Sequence, residues 1–143
     1  MIATISFFSQ VNYLAVFVAA LAYFILGALW YSALFRKIWA KGIEEMGIKI
    51  FKPDNSQMIG MMVKSFAANL LCAFSIAFLI KAIGGGDALF GIKLGIVCGG
   101  GLTLASLLMV ANWQNTKTSV LFVDAGYQVV GITLVSVILA LWV

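Results

Sequence analysis

Histidine is missing from this 143-residue chain. Its absence removes the commonest protein ligand for haem, copper and zinc, and with it the usual proton shuttle at neutral pH. Charge is scarce too: Asp, Glu, Lys and Arg are 10% of the residues, against about a quarter in soluble domains. The two cysteines, Cys72 and Cys98, fall inside apolar runs without a CxxC spacing. They read as small apolar side chains rather than as a redox or metal pair. No cofactor and no metal is expected. Phosphate loops and nucleophile–base pairs are also missing, and Glu44-Glu45, the one pair of neighbouring acids, lies outside the apolar runs. No basic region precedes the first apolar run, which is too long for a signal-peptide core, so no cleavage is expected.

What is present is hydrophobic. Apolar residues are 64% of the chain and its mean hydropathy is +1.11, which places it among membrane proteins before any motif is considered. The net charge of +4 comes from basic residues beside the apolar runs. There they set topology and attract anionic headgroups, and they do not point to nucleic acid.

The run Val11 to Leu34 is uncharged and ends in Trp30-Tyr31-Ser32, just before Arg36-Lys37. At about 1.5 Å per residue, a helix of this length crosses a hydrocarbon core of roughly 30 Å. Ala15, Ala19 and Gly27 lie four and eight apart, on one side of that helix, where a second helix can approach. Residues 1–10 form an apolar lead-in. Over about 35–52, Phe35, Ile38, Trp39, Ile43, Met46 and Ile50 alternate with charged residues. This predicts an amphipathic helix in the membrane interface, broken by Gly42 and Gly47 and stopped before Pro53. Such a segment either lies on the membrane surface or docks a partner. Lys52-Pro53-Asp54-Asn55-Ser56 reads as a turn.

Three further spans are expected, at about 63–83, 89–111 and 119–143. In the second, Ser65, Asn69, Cys72 and Ser75 form a polar stripe that should face protein, because an amide facing hydrocarbon is costly. In the third, Gly91, Gly95 and Gly99 recur at strict four-residue spacing, a glycine-zipper pattern, followed by Gly100, Gly101 and Thr103. The pattern serves packing within the bundle or between subunits, or else marks a hinge beside a solute path. Arg36, Lys37, Lys41, Lys49, Lys52, Lys64 and Lys117 fall on one side of this layout, and Lys81 and Lys93 on the other. The asymmetry places the first and third loops inside and both termini on the outer side of the membrane.

Asp124 is the one acid within a span, with Gln128 a turn further on the same face. An intramembrane carboxylate is a candidate ion or proton site. A structural reading competes: the start of a helix favours a carboxylate, and Lys117 and Asn112 are near enough in sequence to pair with it. Trp30, Tyr31, Trp39, Trp113 and Trp142 read as interface anchors.

Asn12-Tyr13-Leu14-Ala15-Val16 leading into Gly27-Ala28-Leu29-Trp30-Tyr31-Ser32, then Phe35 and Trp39, resembles the opening of a family of small bacterial membrane proteins, domain of unknown function 1761. Asn112 and Asp124-Ala125-Gly126-Tyr127 resemble its closing signature, so the likeness spans about Val11 to Trp142. Ala33 stands where the family typically has proline after Trp-Tyr-Ser. Gln114-Asn115-Thr116-Lys117 replaces an acidic-Gly-basic-Pro stretch, and residues 1–10 precede the usual start. The resemblance implies four spans and a bacterial inner membrane, whose outer side is the periplasmic one, and it carries no activity.

The expectation is therefore an all-α, four-span membrane bundle in a single domain. The leading functional reading is non-enzymatic: an accessory subunit of a membrane complex, or a self-associating protein, in contact with lipid and with protein partners. The alternative is an oligomeric channel or carrier for a small ion or solute, its path using Asn69, Gly99, Thr103, Asp124 and Gln128.

Overall fold

The computed structural model describes residues 8–142. Most of the apolar lead-in, and the expected last residue of the fourth span, lie outside the described residues. Four helices are long and apolar enough to cross a membrane: α1 (Tyr13–Leu34), α3 (Asn55–Ile83), α4 (Ala88–Gln114) and α5 (Thr118–Leu141). A shorter α2 (Arg36–Glu45) follows α1. No strand occurs among the described residues. The fold is an all-helical membrane bundle.

Polar side chains set the helix starts, since the first N–H groups of a helix lack partners within it. Asn12 accepts from the Ala15 N–H at 3.1 Å, and Asp87 accepts from the Phe90 N–H at 2.7 Å. Asp54 and Gln57 form a reciprocal capping box, at 2.8 and 3.0 Å. That box moves the start of α3 to Asn55, well before the expected Val63, so Asn55 and Ser56 are helical rather than part of the turn. Glycine or asparagine in the left-handed region ends the helices: Gly47 (φ +76°), Gly84 (φ +83°) and Asn115 (φ +52°).

Gly47 does break the segment after α1, but Gly42 does not. Gly42 is buried inside α2, where a Cβ would come within 2.5 Å of Val120 Cγ2. Glycine is there because α2 packs against the start of α5. Residues 48–54 are not helical, so the helix anticipated over 35–52 is shorter at its C-terminal end.

Helices α1, α3 and α5 all touch one another, while α4 packs chiefly along α5. The core between α1, α3 and α5 is made of small and branched side chains: Ala15, Ala19, Ala20, Ala73, Ala77, Ile80, Val135 and Leu139. Large apolar residues such as Leu71, Leu102 and Phe122 remain exposed, as expected of surfaces that meet lipid. On the seam between α4 and α5, Gly91, Gly95 and Gly99 bring backbone against backbone. A Cβ on them would lie 2.7, 2.4 and 3.0 Å from the Cα atoms of Val137, Thr133 and Val129. The glycine face is thus occupied within the chain. Helix α4 is wound more widely over Ile96–Thr103 and continues through Gly99-Gly100-Gly101, so the helix is not broken there.

Candidate functional site

One group of polar residues of the membrane-crossing helices gathers between α1, α3 and α5. The last turn of α1, Trp30–Leu34, is a wide π turn closed by the Phe35 N–H to the Trp30 carbonyl at 2.9 Å. Such turns change the direction of successive side chains. Here Trp30 and Tyr31, adjacent in sequence, both engage α5. The Trp30 indole N–H donates to the Val123 carbonyl at 3.0 Å. The Tyr31 hydroxyl donates to Asp124 Oδ1 at 2.7 Å, and Trp39 of α2 reaches the same carboxylate.

A second layer lies deeper. Tyr127 meets Tyr31 edge-on, with ring centroids 5.4 Å apart, and Tyr23 at 5.1 Å. Its hydroxyl approaches the Tyr23 carbonyl at 3.5 Å and is reached by the buried amide of Asn69. The Tyr23 hydroxyl donates to Gln128 Oε1. From the basic end inward the order is Trp39, Asp124, Tyr31, Tyr127, Tyr23 and Gln128, with Asn69 at the side. No buried side-chain nitrogen or oxygen among the described residues lacks a partner. Three glycines make room for the rings. A Cβ would meet Tyr127 at Gly27 (2.8 Å), Trp30 at Gly126 (3.0 Å) and Tyr23 at Gly131 (2.0 Å).

The surroundings of Asp124 differ from those expected on both counts. It lies beyond the first turn of a helix that begins at Thr118, where the N–H groups are already paired within the helix. Lys117 turns instead to Glu45, and Asn112 is exposed. Among the described residues, ion pairs join Glu45 to Lys41 and to Lys117, and none reaches Asp124. Asp124 is therefore a half-buried carboxylate held by uncharged donors.

The other anticipated residues divide between places. Trp30, Tyr31 and Trp39 are half-buried and directed at α5 or Tyr127, not at the interface alone, because protein acceptors satisfy their polar ends. Trp113 is 85% exposed beyond the last core contact of α4, and Trp142 lies at the opposite end of the molecule. In the polar stripe of α3, Asn69 is buried and Cys72 half-buried, whereas Ser65 and Ser75 are exposed. Ser75 can face outward because its hydroxyl donates to the Leu71 carbonyl of its own helix at 2.8 Å. Gly99 is on the α4–α5 seam, and Thr103 makes none of the hydrogen bonds of the cluster. Ala15 and Ala19 are buried in the core.

The model of the family described as protein of unknown function (DUF1761) matches residues 14–140. The chain belongs to that family. Its Gly27, Trp30, Tyr31, Asp124, Gly126 and Tyr127 all belong to the cluster just described. No curated protein and no solved structure matches this DUF1761 chain. Tyr23 and Gln128 complete the cluster. A signal for it is present in the spacing: Tyr23, Gly27, Trp30 and Tyr31 fall at i, i+4, i+7 and i+8, and Asp124, Tyr127, Gln128 and Gly131 at i, i+3, i+4 and i+7.

Proposed function

We propose that this DUF1761 protein is a non-enzymatic membrane protein that takes up a proton or a small monovalent cation at Asp124 and passes it across the bilayer. The observation that supports this reading is the pairing of Asp124 with neutral donors alone, while the nearby lysine is committed to Glu45. A carboxylate inside the hydrocarbon region is costly unless neutralised. A bound cation or proton supplies the charge that the protein does not. Tyr31, Tyr127, Tyr23 and Gln128 provide hydroxyl and amide oxygens along the continuation of the route. The proposed orientation has the basic end at the inner surface of a bacterial inner membrane and both termini outside.

The test is flux into liposomes containing the full-length chain, with imposed proton, sodium and potassium gradients in turn. One of these gradients should collapse with the wild-type protein, and Asp124→Asn should stop the flux while the protein stays folded. Absence of flux under all three gradients, or undiminished flux in Asp124→Asn, overturns the reading.

A second reading, an accessory subunit of a membrane complex or of a homo-oligomer, is favoured by α4. It packs chiefly on α5 and leaves Leu102, Met109 and Trp113 exposed along its length. Native mass analysis after gentle extraction separates the two. Other polypeptides in fixed ratio support the accessory role, recovery of this chain alone as an oligomer supports self-association, and recovery as a monomer removes both.

A further inference from the structure

Beside the first layer of the cluster, at the basic end, lies an open cleft of about 770 Å³. Arg36 of α2 and Lys49 and Lys52 of the following extended stretch line it, with Glu44 as its one acid. Its aromatic wall is Tyr31 and Trp39, whose rings meet edge to face at 5.8 Å. None of the ion pairs among the described residues uses Arg36, Lys49, Lys52 or Glu44. The cleft thus gathers three unpaired cations against one carboxylate, an unbalanced set in a chain with only nine Lys and Arg. Arg offers a planar fork of donors to an oxyanion, and Lys a mobile point charge.

Apolar surface adjoins these cations. Ile48 and Ile50, which flank Lys49 and line the cleft themselves, are 50% and 36% exposed. A free inorganic anion would leave these side chains without a partner, whereas an amphiphile would cover them. We propose that the cleft binds the phosphate headgroup of an anionic phospholipid. Arg36, Lys49 and Lys52 hold the phosphate, and an acyl chain runs along the apolar side chains beside them. This assignment stands on the cleft alone and does not depend on ion passage at Asp124.

The test is lipid retention by the full-length protein in detergent, read by native mass spectrometry against mixtures of phosphatidylglycerol and phosphatidylcholine. Wild-type protein should retain phosphatidylglycerol preferentially, and Lys49→Gln/Lys52→Gln should weaken that retention by about tenfold. Lys37→Gln/Lys41→Gln removes the same charge from the same end, outside the cleft, and should retain the lipid as wild type does. An equal loss in both double variants would mean general surface attraction and overturn the site. Equal retention of both lipids by the wild type would also overturn it. Displacement of the lipid by inorganic phosphate at concentrations comparable to the lipid's would assign the cleft to the free anion instead, and overturn the lipid assignment.

Discussion

The glycine seam between α4 and α5 makes a graded prediction. An ordinary contact of a Cβ begins near 3.4 Å, and a Cβ at Gly95 would lie 2.4 Å from Thr133 Cα. The two helices would have to separate by about 1 Å there, with shortfalls of about 0.7 Å at Gly91 and about 0.4 Å at Gly99. The obstructing atoms are backbone, so no rotamer change relieves the clash. Overpacking of this kind costs about 1–3 kcal/mol, and separation also forfeits dispersion contacts along the seam. Gly60 and Gly101 have nothing within 4 Å of the added atom. Alanine there should be neutral or stabilising by up to about 1 kcal/mol, through helix propensity alone. Unfolding of the purified protein in mixed detergent micelles, titrated with a denaturing detergent, should therefore rank Gly95→Ala as most destabilised, then Gly91→Ala, then Gly99→Ala. Gly60→Ala and Gly101→Ala should sit at or above wild type. If Gly101→Ala falls as far as Gly95→Ala, or if Gly95→Ala leaves unfolding unchanged and dissociates an oligomer, the intramolecular seam is refuted.

The cluster around Asp124 offers further tests. Tyr31→Phe removes the hydroxyl bonded to the carboxylate and should destabilise by about 1.5–3 kcal/mol, the range for hydrogen bonds to charged groups. In a double-mutant cycle of unfolding, Tyr31→Phe and Asp124→Asn should be non-additive by about 1 kcal/mol or more, and simple additivity would mean that the bond carries no energy. Gly131→Ala should be among the most damaging small substitutions, since its Cβ would lie 2.0 Å from the Tyr23 ring; wild-type stability in the same titration would contradict that contact. Asp54→Ala should lower stability by about 1 kcal/mol through loss of the α3 capping box, with Asp54→Asn largely retaining it. Glu45→Gln, which breaks exposed pairs with Lys41 and Lys117, should cost no more than about 1 kcal/mol.

What could be read in advance follows the range of the interactions involved. Four spans were legible because crossing a membrane is a property of a run of residues, and Val11 to Leu34 meets it without reference to any other part of the chain. The start of α3 was less so. Hydropathy locates the hydrocarbon, whereas the Asp54–Gln57 box continues the helix into the polar region where hydropathy is silent. The three glycines of α4 announced a close contact by their spacing alone, but nothing in that spacing says whether the partner is α5 or a second copy. The π turn at Trp30–Leu34 left no mark that would separate an aromatic anchor from an aromatic aimed inward, and Trp30 and Tyr31, at the end of a membrane-crossing helix, have protein partners.

Asp124 shows the same limit most sharply, and shows why it matters for function. Along the chain the nearest cation is Lys117, and a local ion pair is the economical expectation. In the folded molecule Lys117 is drawn to Glu45 on α2, because Gly42 lets α2 settle against Val120 at the start of α5. The carboxylate is left to Tyr31, which lies 93 residues away in sequence. A glycine on a short helix outside the spans thus helps decide whether the one acid of the spans is neutralised locally or stays available. Gly42→Ala should disturb that arrangement. With α2 displaced, Lys117 is released from Glu45, and the ion passage proposed at Asp124 should fall in liposome assays while the four spans remain folded by circular dichroism. Unchanged flux in Gly42→Ala would separate the docking of α2 from the state of Asp124.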